Sequence, residues 1–566
     1  MKQVPRLPYL ISLGLLVFVF VGYVIYPIAV TIYSSLHVDG ALSFGHYREL
    51  LNPGHVANFE AVWNSVLISL LSVAFSGVIG VLFAFVFTQF HFHFRDSLSR
   101  LVILPIALPP LVGVISFLFV SGESGILPRL LKEIFMMEDV PFFLDGMAAI
   151  VVVHVYSFNV FFYLFVSTSL SQLDPSLVEA ASSLRSKPWN TFRRIIVPEL
   201  RPALIGASVL TFMASMASFS APFLFGGKKL FLTTLIYSTK LNGEMDLAAA
   251  QSMLLMLVSV AFFLVLSMTS RSTTYGRRSK GAVAPRPIQI GSVTRTILIA
   301  CALLLLVIEL LPILTIFLIS FAREGSWTWQ LLPTSYTLDN YLQLLSEPRV
   351  LEPIKNSVFM SLVAVAVSII VGVIAAYLAT KGGLRRFRTV VEVVVTLPFA
   401  IPGTVIAISL ILAFSTPTMF SGYNVLVGTF WILPLAYFIR MYPLVVRSTV
   451  ASLEQLDDSL MEVAETFGAG IVRRFRKIVL PIILPGVVSG SLLIVIAALG
   501  EFVSSILLYA YSSRPISIEI LSQLRVYNFG SAAAYCVVLL LLILLLIFLA
   551  NQITRRMQSE SHGFSF

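Results

Sequence analysis

The sequence predicts an all-α membrane protein of two parallel six-helix repeats, with twelve transmembrane helices in all. Three observations predict it: an apolar composition, a regular succession of stretches long enough to cross a bilayer, and an internal repeat that includes polar residues.

Of the 566 residues, 58% are hydrophobic and 12% charged, and the mean hydropathy is +0.93. A soluble chain carries about 25% charged residues, so most of this surface suits lipid. A spanning helix needs about 20 mostly apolar residues. Such stretches fall near 8–33, 60–89, 101–121, 146–168, 202–225, 247–268, 296–321, 357–380, 391–415, 425–446, 485–510 and 530–551. The first opens like a signal peptide, MKQVPR and then an apolar run. It is too long and lacks a small-x-small cleavage site, so it reads as a retained helix.

A net charge of +10 would suit a nucleic-acid partner, but its placement argues otherwise. With the N-terminus in the cytoplasm, most of the 38 Lys and Arg fall in cytoplasmic segments and the outer loops are net negative. That is the positive-inside pattern. Both termini are therefore expected in the cytoplasm, with the basic excess serving orientation and contact with the headgroups of the lipid bilayer. Cys301 and Cys536 lie in apolar stretches and offer neither a disulfide framework nor metal spacing.

The two halves are expected to be residues 1–270 and 296–566, joined by the polar, basic linker 271–295, which has Gly, Pro and Ser but no acidic residue. Asn64-Ser65-Val66 is repeated as Asn356-Ser357-Val358. The run Leu104-Pro105-Ile106-Ala107-Leu108-Pro109 matches Leu397-Pro398-Phe399-Ala400-Ile401-Pro402. Residues 170–202 align without gaps on 453–485, and this match is polar as well as apolar. An even number of helices per half makes the repeats parallel, which favours a solute path between the halves.

The polar match falls in a cytoplasmic loop between the fourth and fifth helices of each half: LDPSLVEAASSLRSKPWNTFRRIIVP from 173 and LDDSLMEVAETFGAGIVRRFRKIVLP from 456. Each reads as a short helix, a turn, and an amphipathic helix returning to the bilayer. Asp174 before Pro175, and Asp457, are placed to cap the first helix, and Gly468 suits a left-handed end to it.

This loop resembles the EAA signature of binding-protein-dependent ABC importer permeases, E-A-A-x(3)-G-x(9)-I-x-L-P. The matching residues are Glu462, Ala464, Gly468, Ile478, Leu480 and Pro481 in half two, with Val463 at the middle position. In half one they are Glu179, Ala180, Ala181, Ile195, Val197 and Pro198, with Arg185 where the glycine belongs. The resemblance covers essentially the whole chain and implies a type I ABC importer permease fold. It also implies two cytoplasmic ABC ATPase subunits docked on these loops and an extracytoplasmic substrate-binding protein that delivers the solute. The fused double length resembles the permeases of ferric-iron and thiamine importers. Ferric iron is thus the expected cargo, with thiamine or another small solute as alternatives.

Because glycine takes positive φ freely and arginine does not, the first loop is expected to turn differently from the second, or to use Arg185 as an added polar contact. Polar residues inside membrane helices point to function. Glu501 in the eleventh helix matches Ser218 in the fifth, and Phe502 matches Phe219; these four are expected to border the translocation pathway. Arg440 and Glu309 are read as buried partners or as snorkelling side chains, His154, Tyr156 and Asn159 as cavity lining or packing, and Pro105, Pro109, Pro398 and Pro402 as kinks at matched positions. His91 and His93 form only a superficial metal pair. No metal, cofactor or catalytic group emerges, and Gly227-Lys228 lacks the rest of a phosphate-binding loop, so ATP hydrolysis is assigned to a separate partner. The rival reading is a secondary transporter of twelve helices. That class often carries G-x(3)-D-R-x-G-R-[RK] after its second helix, whereas HFHFRDSLSR here lacks both glycines.

Overall fold

The computed structural model describes residues 6–38, 40–137, 139, 143–270, 291–381, 395, 397, 398 and 400–562. Most of the linker 271–295 lies outside the described residues, as do 391–394 and Phe399 of the ninth stretch.

Apart from a hairpin of His37–Val38 with Ala41–Leu42, the described chain is helical. The longer helices are α1 (Ile11–Ser35), α2 (Val56–Gln89), α3 (Pro110–Ser121), α4 (Gly146–Ser171), α5 (Val197–Met216) and α6 (Met245–Ser270) in the first half. The second half supplies α7 (Ser292–Ser320), α8 (Pro348–Lys381), α9 (Gly403–Phe414), α10 (Ile432–Leu453), α11 (Leu480–Leu499) and α12 (Phe529–His562).

By length and composition, 10 helical spans among the described residues can cross a membrane, and the ninth and tenth stretches are not among them. Helix α9, which starts afresh after Pro402, is 12 residues long, and part of its stretch lies outside the described residues. Helix α10 is 22 residues long but carries Arg440 and Arg447, and it begins later than the stretch 425–446 suggested.

The proline pairs do more than kink their helices. Leu108 is extended and Pro109 stands as the N-cap of α3; Pro402 is the N-cap of α9, with ψ 136° and 144°. Proline lacks the N–H an interior position needs, and it drives the preceding residue out of helical space. The result is a break followed by a new helix.

The chain divides into two compact units that do not coincide with the sequence halves. One holds Tyr47–Ser238 and Leu254–Tyr336: helices α2 to α5, the larger part of α6, and α7, the first helix of the second half. In it α2 packs along α4, α5 covers both, and α7 lies on α3 and α2. The other holds Met1–His46, Thr239–Met253 and Thr337–Phe566, and so includes α1 with α8 to α12. There α10 packs against α8 and α11, α12 against α11, and α1 against α9. In each unit a glycine permits the close approach. A Cβ on Gly80 of α2 would lie 2.4 Å from the Asn159 carbonyl oxygen on α4. On Gly486 of α11 it would lie 2.5 Å from the Ser448 carbonyl oxygen on α10.

Candidate functional site: two matched loops and two broken helices

Between α4 and α5 the chain forms the helix Pro175–Ser183, a turn, and the short helix Pro188–Thr191. Between α10 and α11 it forms Asp458–Thr466, a turn, and Ile471–Arg474. Both first helices are capped as expected. Asp174 Oδ1 accepts the Ser176 N–H and Asp457 Oδ1 the Ser459 N–H, each at 2.9 Å. The bond from Ser176 holds the Asp174 carboxyl below its ordinary pKa.

The ends of these helices explain the spacing of the motif. The Ala469 N–H reaches back to the Ala464 carbonyl at 3.0 Å and the Gly468 N–H to Glu465 at 2.9 Å, with Gly468 at φ +75°. This is the Schellman closure, in which a residue of positive φ follows the acceptor alanine by four positions. Loop one makes the same closure: the Ser186 N–H reaches the Ala181 carbonyl at 3.0 Å and Arg185 sits at φ +54°. The expectation that the first loop turns differently is therefore corrected. The geometry of the turn outweighs the preference of the residue, at a cost of roughly 1–2 kcal/mol.

Glu179, Ala180 and Glu462 are exposed, Ala464 is half-buried and Ala181 is buried. Just before each left-handed residue a large apolar side chain stands in the open: Leu184 is 84% and Phe467 85% exposed. After the turns, Phe192–Ile196 and Phe475–Val479 form π turns leading into α5 and α11. The Val197 N–H bonds to the Phe192 carbonyl and the Leu480 N–H to Phe475, a wider turn than the α-helical one. Pro198 and Pro481 follow at once. A π turn re-registers the ladder where proline cannot donate.

Ser218-Phe219 and Glu501-Phe502, placed by the sequence inside helices, lie at breaks instead. Helix α5 ends at Met216 and a short helix Ser220–Phe225 follows; α11 ends at Leu499 and Val503–Leu508 follows. Each broken end is held by a hydroxyl from the next helical segment, Leu232–Leu241 or Ile516–Arg525. Thr233 Oγ1 donates to the Ser218 carbonyl at 2.8 Å and Ser517 Oγ to the Glu501 carbonyl at 2.9 Å. The Asn-Ser repeat holds the start of those segments. Asn64 Nδ2 donates to the Leu230 carbonyl at 3.0 Å, and Asn356 Nδ2 to Arg514 at 3.1 Å. Ser65 Oγ accepts the Leu232 N–H and Ser357 Oγ the Ile516 N–H, both at 2.8 Å.

The polar groups at the two breaks differ. Glu501 is buried; its Oε2 pairs with Arg440 Nη1 at 2.5 Å and its Oε1 accepts the Ser504 N–H at 2.9 Å. Gly403 leaves room for the guanidinium, since a Cβ there would lie 2.7 Å from Arg440 Nη1. At the other break Ser218 Oγ lies 2.9 Å from His154 Nε2, and His154 Nδ1 lies 3.0 Å from Ser72 and Ser215. One break carries an ion pair, the other a hydroxyl–imidazole cluster. Phe219 and Phe502 are buried beside them. The pairing of Arg440 with Glu501 was missed in the sequence because the two lie 61 residues apart on different helices.

The arrangement offers two equivalent exposed loops, each tied directly to a helix that breaks at a polar pair. Residues 76–273 and 368–559 each match the family described as binding-protein-dependent transport system inner membrane component. The chain belongs to that family. It is a permease subunit of an ABC importer, a non-catalytic membrane component, and the reading as a secondary transporter falls away.

Among relatives, the permease is 27% identical to a probable ABC transporter permease protein of Sinorhizobium fredii, over 92% of this chain and 91% of that one. It is 26% identical to the ferric transport system permease protein FbpB of Actinobacillus pleuropneumoniae, over 93% of this chain and 75% of that one. Among solved structures, a bacterial ABC transporter involved in the import of the acidic polysaccharide alginate matches at TM-score 0.39 and 20% identity. That match covers 47% of this chain and 97% of that one.

Proposed function

We propose that this permease carries ferric iron across the bacterial inner membrane, driven by two cytoplasmic ATPase subunits and supplied by an extracytoplasmic binding protein. The cargo assignment is supported by the ferric permease that resembles this one along 93% of the chain. The coupling assignment rests on one observation above the others: two loops with the same cap, the same left-handed closure and the same exposed apolar residue. Glu179, Ala180, Ala181, Arg185 and Pro198 in one loop, and Glu462, Ala464, Gly468 and Pro481 in the other, form the faces that meet the ATPases. Force on a loop passes through the π turn into α5 or α11 and reaches the break at Ser218-Phe219 or Glu501-Phe502, which borders the translocation route.

The test joins loop to cargo. Leu184→Asp and Phe467→Asp together should abolish copurification of the ATPase and uptake of radiolabelled ferric iron, with the permease still present in the membrane. Retained ATPase association would sink the coupling assignment. Intact association and uptake of another solute, with no ferric iron transported by the unaltered protein, would sink only the cargo.

A further inference from the structure

Three carboxyl groups are buried among the described residues, and their surroundings differ. Glu519 pairs with Arg514 at 2.9 Å. Glu501 has a guanidinium and a backbone N–H on its two oxygens. Glu309, within α7, has neither. Its Oε1 accepts one hydrogen bond, from Asn159 Nδ2 on α4 at 2.5 Å. Its Oε2 is buried with no hydrogen-bond partner among the described residues, and none of the ion pairs among them involves it. The Asn159 amide is in turn fixed on its own helix, donating also to the Val155 and Tyr156 carbonyls at 2.9 and 3.1 Å. Pro27 and Pro312 mark equivalent positions in the first helix of each half, which sets Val24 opposite Glu309 in the repeat. Val24 is buried and apolar. The Glu309–Asn159 contact thus belongs to the unit into which the second half sends its first helix.

We propose that Glu309 is a positioning residue that fixes α7 against α4, and that the site requires a hydrogen-bond acceptor at position 309 rather than a charge. A charged carboxylate shielded from water needs a counter-ion or several donors; this one has a single amide N–H. An uncharged acceptor of the same shape satisfies that N–H equally well. Removing the acceptor leaves the Asn159 amide bonded only within its own helix and α7 without its polar tie to α4.

The experiment compares Glu309→Gln, Glu309→Leu, Asn159→Leu and the double leucine variant in the full chain, reading thermal unfolding in detergent and solute uptake in cells. Gln keeps the acceptor and should leave both readings within about twofold of the unaltered protein. Either leucine change should lower the folded-to-unfolded ratio about tenfold, and the double variant should lose little more than one of them. A Gln variant that folds normally yet loses uptake would overturn the proposal, because charge would then be what the site needs. Fully additive losses in the double variant would overturn it too, by showing that the two side chains do not act together.

Discussion

Arg185 holds a conformation in which an L side chain crowds its own carbonyl, and it does so because the next turn of the chain requires it. The closure onto the Ala181 carbonyl reverses the chain toward α5, and only a residue at positive φ permits that closure. Replacing Arg185 with glycine should therefore stabilise the protein by about 1 kcal/mol. Gly468→Arg should cost roughly 1–2 kcal/mol and no more, since a Cβ at Gly468 would meet nothing within 4 Å. Thermal unfolding of the two variants checks the pair. If Gly468→Arg abolishes ATPase stimulation while costing only that much stability, its open surface is a contact and not merely a turn. At this scale the sequence was legible in its caps and misleading at Arg185, because a propensity near 1 kcal/mol yields to a closure shared by several backbone groups.

Among elements, the close pairings of α2 with α4 and of α8 with α10 depend on glycines at equivalent places. A Cβ on Gly80 would meet the Asn159 carbonyl oxygen at 2.4 Å and the Phe162 Cβ at 2.5 Å. On Gly372 it would meet a Val445 methyl at 2.8 Å. A backbone oxygen cannot turn away, whereas a valine methyl can shift with its side chain. Gly80→Ala should thus destabilise by about 1–3 kcal/mol, and Gly372→Ala by clearly less, as read from unfolding of each variant in detergent. Equal losses would mean that α8 and α10 are no freer to adjust. The breaks at Ser218 and Glu501 belong to this scale as well. Apolar periodicity ran through 202–225 and 485–510 without interruption, and nothing in it marks where a helix stops. The stop is made by hydroxyls of Thr233 and Ser517, which arrive from later segments.

Over the whole molecule, each compact unit takes its first spanning helix from the opposite half of the sequence. Helix α1 meets α9 through Thr31 Oγ1, which donates to Ser409 Oγ at 2.8 Å, while α7 meets α4 through Glu309 and Asn159. Two units built this way cannot be separated by cutting the linker alone. The placement of basic residues predicts that segment 271–295 faces the cytoplasm. A cysteine at Ser279 should accordingly resist an impermeant thiol reagent in intact cells and react after the cells are opened. Ready labelling in intact cells would reverse the orientation of every loop.

Composition, apolar length and the two loop copies were enough to determine from sequence alone that this is a helical membrane protein of duplicated design with a paired loop motif. Those features are local: hydropathy is summed over neighbours, and a Schellman closure is written in residues four positions apart. Tertiary structure alone decided that the loops turn alike despite Arg185, that the fifth and eleventh stretches break, and that Arg440 meets Glu501 while Asn159 meets Glu309. It also decided which half lends its first helix to which unit. Each of these depends on groups brought together from distant parts of the chain, where packing distance and hydrogen-bond supply outweigh any preference encoded nearby.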